Sequence, residues 1–195
     1  MLALMTALLL SNADLAPATA TIEEWQVPWE RSRPRDPFVG GADEIWFVGQ
    51  QADYAAVLTP SSGNMKRIDL PAGAGPHNII VDERGAWYAG NKAAHIGLID
   101  RETHEITQFT LPGDGRRDVH TMDFDPATGD IWFSAQGANQ IGKFDAASQQ
   151  ITLWNVPTPS ARHMVYESSD NSLWFGTDAN TIGKATLNFS GISGK

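Results

Sequence analysis

Residues 130–144, DIWFSAQGANQIGKF, join an apolar Trp-Phe strand to an Ile-Gly pair, and the same pattern recurs along the chain. The tryptophans that mark its four copies are Trp46, Trp87, Trp132 and Trp174. They lie 41, 45 and 42 residues apart. A near-constant period of this length indicates a chain built from repeats of one structural unit.

Each unit carries further strand signals after its tryptophan. The Ile-Gly elements, the first of them divergent, occur at 54–59, 95–100, 140–145 and 181–186. A segment rich in β-branched residues follows and closes at Pro71, Pro112 or Pro157. Tight-turn sequences such as DERG (82–85) and DPATGD (125–130) separate the strands. Helical periodicity is not sustained after residue 20, so the pattern predicts an all-β protein with four short strands in each unit.

A period near 42 residues with four strands per unit is typical of a β-propeller blade. We therefore predict a propeller of four-stranded antiparallel blades, with about four blades present and the four tryptophans in its core. The segment TIEEWQVP (21–28) has the pattern of a fourth strand, whereas the last residues, NFSGISGK, lack it. Two architectures fit: the first blades of a longer propeller, which we favour, or a four-bladed ring closed by residues 21–28.

The leader and the bulk composition restrict where the protein works. Residues 1–20 combine an apolar run with an Ala18-Thr19-Ala20 end and predict a signal peptide, with the propeller domain at 21–195 and export to the periplasm or the medium. A disordered leader is the alternative. The apolar run is too short to insert across a membrane, and a net charge of −9 argues against nucleic acid as a partner. The chain has no cysteine, so disulfides cannot stabilise it.

Three histidines recur with the repeats. His77, His120 and His163 lie 43 residues apart and open the first strand of their blades, the strand that lines a propeller's channel. We predict that they form an arc at one mouth of the channel, with Asp36 at the same position in the first blade. Arginines precede the same strands and could bind a carboxylate or carbonyl-rich ligand: Arg33, Arg35, Arg116, Arg117 and Arg162. His95 and His104 are predicted to be solvated.

These histidine, Trp-Phe, Ile-Gly and Leu-Pro elements, at matching offsets over roughly residues 22–187, resemble the virginiamycin B lyase (streptogramin B lyase) family. The resemblance implies a seven-bladed propeller, of which this chain is a shortened member. It also implies ring opening of cyclic depsipeptide antibiotics by elimination, with Mg²⁺ and without water as a reactant. A small cyclic peptide is then the expected ligand.

The resemblance also implies a set of site residues. A neutral imidazole suits proton removal near pH 7, and a carboxylate-bound Mg²⁺ can hold the developing negative charge. The implied catalytic residues are His120, His163 and Asp178. The implied Mg²⁺ ligands are Asp118 and Asp178. The implied substrate-binding residues are Asp36, His77, Arg35, Arg117 and Arg162. The family's acidic residue after Trp-Phe is matched only by Asp178, because the other copies hold Gln50, Asn91 and Gln136.

Two other functions stay open at the level of sequence. One is a non-catalytic extracytoplasmic propeller that binds a small molecule or a protein. The other is a metal-dependent lactonase-like hydrolase, which would need several carboxylates around one cation. Open blade edges also leave self-association as a partner interaction.

Overall fold

The computed structural model describes residues 20–115 and 118–186, which form four antiparallel sheets in chain order. Blade 1 comprises β1 (Pro34–Gly41), β2 (Glu44–Gly49), β3 (Tyr54–Thr59) and β4 (Asn64–Asp69). Blade 2 comprises β5 (Ile79–Asp82), β6 (Gly85–Gly90), β7 (His95–Ile99) and β8 (Ile106–Thr110). Blade 3 comprises β9 (Val119–Phe124), β10 (Ile131–Ala135), β11 (Gln140–Phe144) and β12 (Ile151–Asn155), with a 3₁₀ turn at Gln136–Ala138. Blade 4 comprises β13 (Ala161–Glu167), β14 (Ser172–Thr177) and β15 (Ile182–Thr186).

The predicted all-β propeller architecture is confirmed, with two differences in strand content. Blade 4 has three strands within the described residues. Residues 21–28, where the sequence predicts a strand, contain none. A strand needs a hydrogen-bonded neighbour, and this segment has none in the described structure. None of the described residues belongs to a helix long and apolar enough to span a bilayer.

The repeated tryptophans pack each blade against the one that follows it. Trp46, Trp87 and Trp132 are 2%, 2% and 1% exposed. Trp174 occupies the same position in blade 4 but is 41% exposed, because no described blade covers that face. The prediction of a core role therefore holds for three of the four tryptophans, and burial depends on a following blade rather than on the residue.

The glycine of the Ile-Gly element makes room for an aromatic ring on the neighbouring strand. Gly142 pairs with Phe133, and a Cβ atom at Gly142 would overlap the Phe133 ring. Tyr88 lies over Gly97 in the same way. The aromatic residue after each tryptophan thus lies flat against its own sheet and packs toward the preceding blade.

Residues 25–29 lie across the outer face of blade 1. Val27 and Trp29 pack against a cluster that includes Phe47, Tyr54 and Leu58. The Trp29 and Tyr54 ring centroids are 5.0 Å apart, and the Arg67 guanidinium lies 4.4 Å from the Tyr54 centroid. The face that a preceding blade would cover is therefore covered here by the chain's own N-terminal segment.

Candidate functional site

The register of the first two strands in each blade fixes which side chains reach the channel mouth. The first-strand residues opposite the four tryptophans are Phe38, Ile80, Asp123 and Val165. Three residues before each of these lie Arg35, His77, His120 and Arg162, hereafter the inner ring. Two residues before each lie Asp36, Asn78, Thr121 and His163, hereafter the bridging positions.

His163 is therefore not equivalent to His77 and His120, contrary to the predicted arc. The histidines of blades 3 and 4 are 43 residues apart, but the tryptophans of these blades are 42 apart. The irregular register between Ala161 and Met164 places Arg162 where the other two blades have their histidine. Asp36 likewise falls at a bridging position, and Arg35 takes the inner-ring position in blade 1.

Bridging side chains contact the next blade. Asn78 accepts a hydrogen bond from the Met122 backbone N–H at 3.0 Å. The Thr121 hydroxyl donates to the Arg162 carbonyl at 3.2 Å. His163 holds this position in blade 4 and is exposed, since the described chain has no blade beyond it. The histidine spacing alone does not reveal Asn78 and Thr121; the strand register does.

The two inner-ring histidines lie against each other. The ring centroids of His77 and His120 are 3.8 Å apart, with an interplanar angle of 34°. His77 is 6% exposed, and its Nδ1 lies 3.4 Å from Asp36 Oδ2. This contact is an ion-pair distance without hydrogen-bond geometry, so both buried Nδ1 atoms lack a hydrogen-bond partner among the described residues. Buried polar atoms without partners are a feature of binding sites.

Charge and burial set the protonation states here. Burial acts to raise the pKa of Asp36, but the adjacent His77 and the Asn78 amide lower it overall. Burial lowers the pKa of His120 to about 4, and the nearby charges of His77 and Arg162 act in the same direction. His120 is therefore a neutral imidazole near pH 7.

We expect the His120 imidazole to take up a proton only near pH 4. The unfolded chain protonates the same residue at about pH 6.5. The free energy of unfolding should therefore fall as the pH decreases between these two values, because the unfolded state binds the proton first. An NMR titration of the His120 ring protons, assigned with a His120→Gln variant, measures the midpoint. A midpoint at or above about pH 6 would contradict the burial argument.

The two inner-ring arginines bind the residue four positions after their own blade's tryptophan. Arg162 donates from Nε and Nη2 to both carboxylate oxygens of Asp178, at 2.6 and 2.7 Å. This bond is the main reason why the pKa of Asp178 is lowered. Arg35 donates to Gln50 Oε1 at 3.1 Å. The Gln136 amide, in the orientation that satisfies its hydrogen bonds, also accepts from Arg162.

The predicted Mg²⁺ ligands do not form a cation site by themselves. Both oxygens of Asp178 are engaged by Arg162. Asp118 is buried, and its backbone carbonyl accepts a hydrogen bond from the Gln136 N–H at 2.9 Å. Within residues 20–115 and 118–186, no three His, Cys, Asp or Glu side chains converge on a point that could hold a metal ion.

The remaining predicted residues divide into two groups. Arg116, Arg117 and the predicted signal peptide, apart from Ala20, lie outside the described residues. His95 is 4% exposed rather than solvated, and its Nε2 lies 3.0 Å from the Tyr88 hydroxyl. Burial lowers its pKa, so His95 is a neutral core residue in blade 2.

Comparison with known proteins agrees with this architecture. The chain is similar to a streptogramin B lyase structure with 24% identity and a TM-score of 0.72, over 86% of this chain and 59% of that chain. A catalytically inactive virginiamycin B lyase from Staphylococcus aureus with quinupristin is 26% identical, with a TM-score of 0.75 over 86% of this chain and 56% of that chain. The computationally designed Ika4 protein shares the fold at 11% identity and a TM-score of 0.65, over 87% of this chain and 100% of that chain. Curated protein sequences gave no match.

The chain thus spans 56–59% of the length of the two lyases. The family model described as the Virginiamycin B lyase family matches residues 15–185. This match includes all four blades, and it agrees with the inner strands and the Trp-Phe and Ile-Gly elements described above. The chain therefore belongs to the virginiamycin B lyase family.

Proposed function

We propose that the inner ring binds a cyclic depsipeptide of the streptogramin B type and opens its ester bond by elimination. The observation that carries this proposal is the neutral His120 imidazole, which stands between His77 and the positively charged Arg162. A family member crystallised with quinupristin supports the ligand class. Two guanidinium groups and two unpartnered imidazole nitrogens suit a ligand rich in carbonyl oxygens.

In this reaction His120 removes the proton from the carbon beside a carbonyl group. The electron pair of that C–H bond forms a carbon–carbon double bond, and the ester C–O bond breaks to release a carboxylate. Arg162 holds the carbonyl oxygen on which negative charge develops. A base with a pKa near 4 is weak in the free protein, but the new carboxylate favours the protonated imidazole. No water is consumed.

Magnesium dependence stays a prediction, and no step above is assigned to the ion. When bound, Mg²⁺ would stabilise negative charge on a carbonyl oxygen. Asp178 would have to exchange Arg162 for the cation to serve as its ligand. Arg162 supplies a positive charge at this position in the structure described.

The test is incubation of the purified protein with a streptogramin B, with Mg²⁺ and then with EDTA, followed by liquid chromatography and mass spectrometry. Elimination changes the retention time without changing the mass. A gain of one water indicates hydrolysis and would support a lactonase-like enzyme instead. Loss of turnover in EDTA would show that a metal is required, while unchanged turnover would assign the charge stabilisation to Arg162.

The second candidate is a non-catalytic binding propeller. The Arg162–Asp178 pair favours it, because this bidentate contact occupies the carboxylate that the family resemblance assigns to catalysis. Such a protein would bind the antibiotic without converting it. Calorimetric binding with no product in the mass spectrum would identify this function.

A further inference from the structure

A groove of about 650 Å³ runs along the outer edge of blades 3 and 4, next to β15. Blade 3 contributes Trp132, Lys143 and Trp154 to this groove, and blade 4 contributes Phe175, Lys184 and Ala185. In blades 1 to 3 the edge beside the third strand is filled by a fourth strand. In blade 3, Ile151 and Leu153 of that strand pack toward blade 2. The groove is therefore a space of the kind that a fourth strand occupies.

Residues 21–28 carry the sequence of such a strand. TIEEWQVP aligns with EITQFTLP (105–112) and QITLWNVP (150–157). Ile22 matches Ile106 and Ile151, and Val27 matches Leu111 and Val156. Ile22 is 83% exposed in the structure. The strand sequence is thus present, and the side chain that should be buried is not.

The segment already occupies, on blade 1, the place that a fourth strand takes on the following blade. Leu111 ends the fourth strand of blade 2 and lies in the core shared with blade 3. Val27, its counterpart, packs on the outer face of blade 1. Trp25 shares a cavity with Leu58. Leu58 matches Phe144 in β11, and Phe144 contacts the counterpart of Trp25 in blade 2, Phe109, at 4.7 Å.

We propose that residues 21–28 of one chain pair with β15 of a second copy and complete its blade 4. The β11–β12 register, in which Lys143 faces Thr152 and Ile141 faces Trp154, predicts the contacts. Lys184 then lies opposite Glu23, an oppositely charged cross-strand pair. Ile182 lies opposite Trp25, which places Trp25 beside the exposed Trp174. The matching pair in blade 3, Trp154 and Trp132, has centroids 5.8 Å apart.

A second copy is the occupant that satisfies both surfaces together. Blade 4 offers three strands and an exposed apolar face with Trp174 and Ile182, which are 41% and 75% exposed. The N-terminal half of another chain offers one strand and the blade 1 face on which that strand already lies. A reciprocal exchange uses each surface once per chain and gives eight blades, within the usual range for propellers. Main-chain pairing at a sheet edge supplies the affinity.

Directed cross-linking tests this register, because the chain has no cysteine of its own. We would mix a Glu23→Cys chain with a Lys184→Cys chain, oxidise the mixture and quantify the covalent dimer. Directly opposite residues have the spacing that a disulfide needs. The matched control is Glu24→Cys with Lys184→Cys, since residue 24 points to the other face of the strand. We expect at least about tenfold more dimer from the first mixture.

Light scattering of the unmodified chain gives the second measurement. The mass should be that of two chains, and Lys184→Glu should weaken the dimer while the exchanged pair Glu23→Lys with Lys184→Glu restores it. A monomer at all concentrations would overturn the proposal. A dimer with equal cross-linking in both mixtures would also overturn it, because association would then use another surface. Neither readout depends on lyase activity, so its failure is distinct from failure of the proposed function.

Discussion

Replacing Trp87 with alanine should lower the free energy of unfolding by about 3–5 kcal/mol, the usual cost of deleting a fully buried large aromatic side chain. Trp87 is 2% exposed and lies between blades 2 and 3, with ring centroids of Phe109 and Phe144 at 5.9 and 5.2 Å. Its Nε1 donates to Asp82 at 3.1 Å. The substitution therefore removes packing between two blades and a hydrogen bond together.

Trp174→Ala is the matched control, since Trp174 holds the same strand position in blade 4 but is 41% exposed. We expect a loss below about 1 kcal/mol, because little apolar surface leaves water there when the chain is dilute and monomeric. Urea unfolding curves for both variants give the two values. Equal losses would contradict the conclusion that each tryptophan is stabilised by the following blade.

The repeat was sufficient to predict the blades because it is written in residues that pack. Trp46, Trp87 and Trp132 fill the space between successive sheets, and Gly142 has to be small for Phe133 to lie against it. Such constraints act on neighbouring strands and leave a pattern with a fixed period. The fold is therefore readable from one sequence.

The site is less readable because it depends on register, which spacing does not report. His163 continues the 43-residue interval, yet its side chain holds the position of Thr121 rather than that of His120. A shift of one residue in a strand moves every side chain to the other face. Arg162 takes the inner-ring position instead, which histidine counting cannot find.

His95 and residues 21–28 were misjudged for a related reason. A polar residue before an Ile-Gly strand looks solvated, but Tyr88 provides His95 with a buried hydroxyl partner. Residues 21–28 have strand sequence, but pairing requires an edge that the described chain does not offer them. In both cases the deciding partner is distant in the sequence.

Replacing His120 with alanine should reduce turnover of a streptogramin B about 10²–10⁴-fold, the usual contribution of a positioned general base. His163→Ala should reduce it less than about tenfold, because His163 lies one residue away at a bridging position and is exposed. The pair is well matched: both are histidines on the first strand of adjacent blades, and neither is fully buried. Product formation by mass spectrometry gives the rates, and circular dichroism checks that both variants fold.

The result also distinguishes the two proposed functions. If His120→Ala abolishes turnover but still binds the antibiotic, the imidazole acts in the chemical step. If it abolishes binding in a protein that never forms product, the inner ring is a recognition surface. A larger loss from His163→Ala than from His120→Ala would contradict the register argument. It would assign the base to the blade that carries Asp178, as the resemblance to the lyases implies, and leave His120 as a partner of His77.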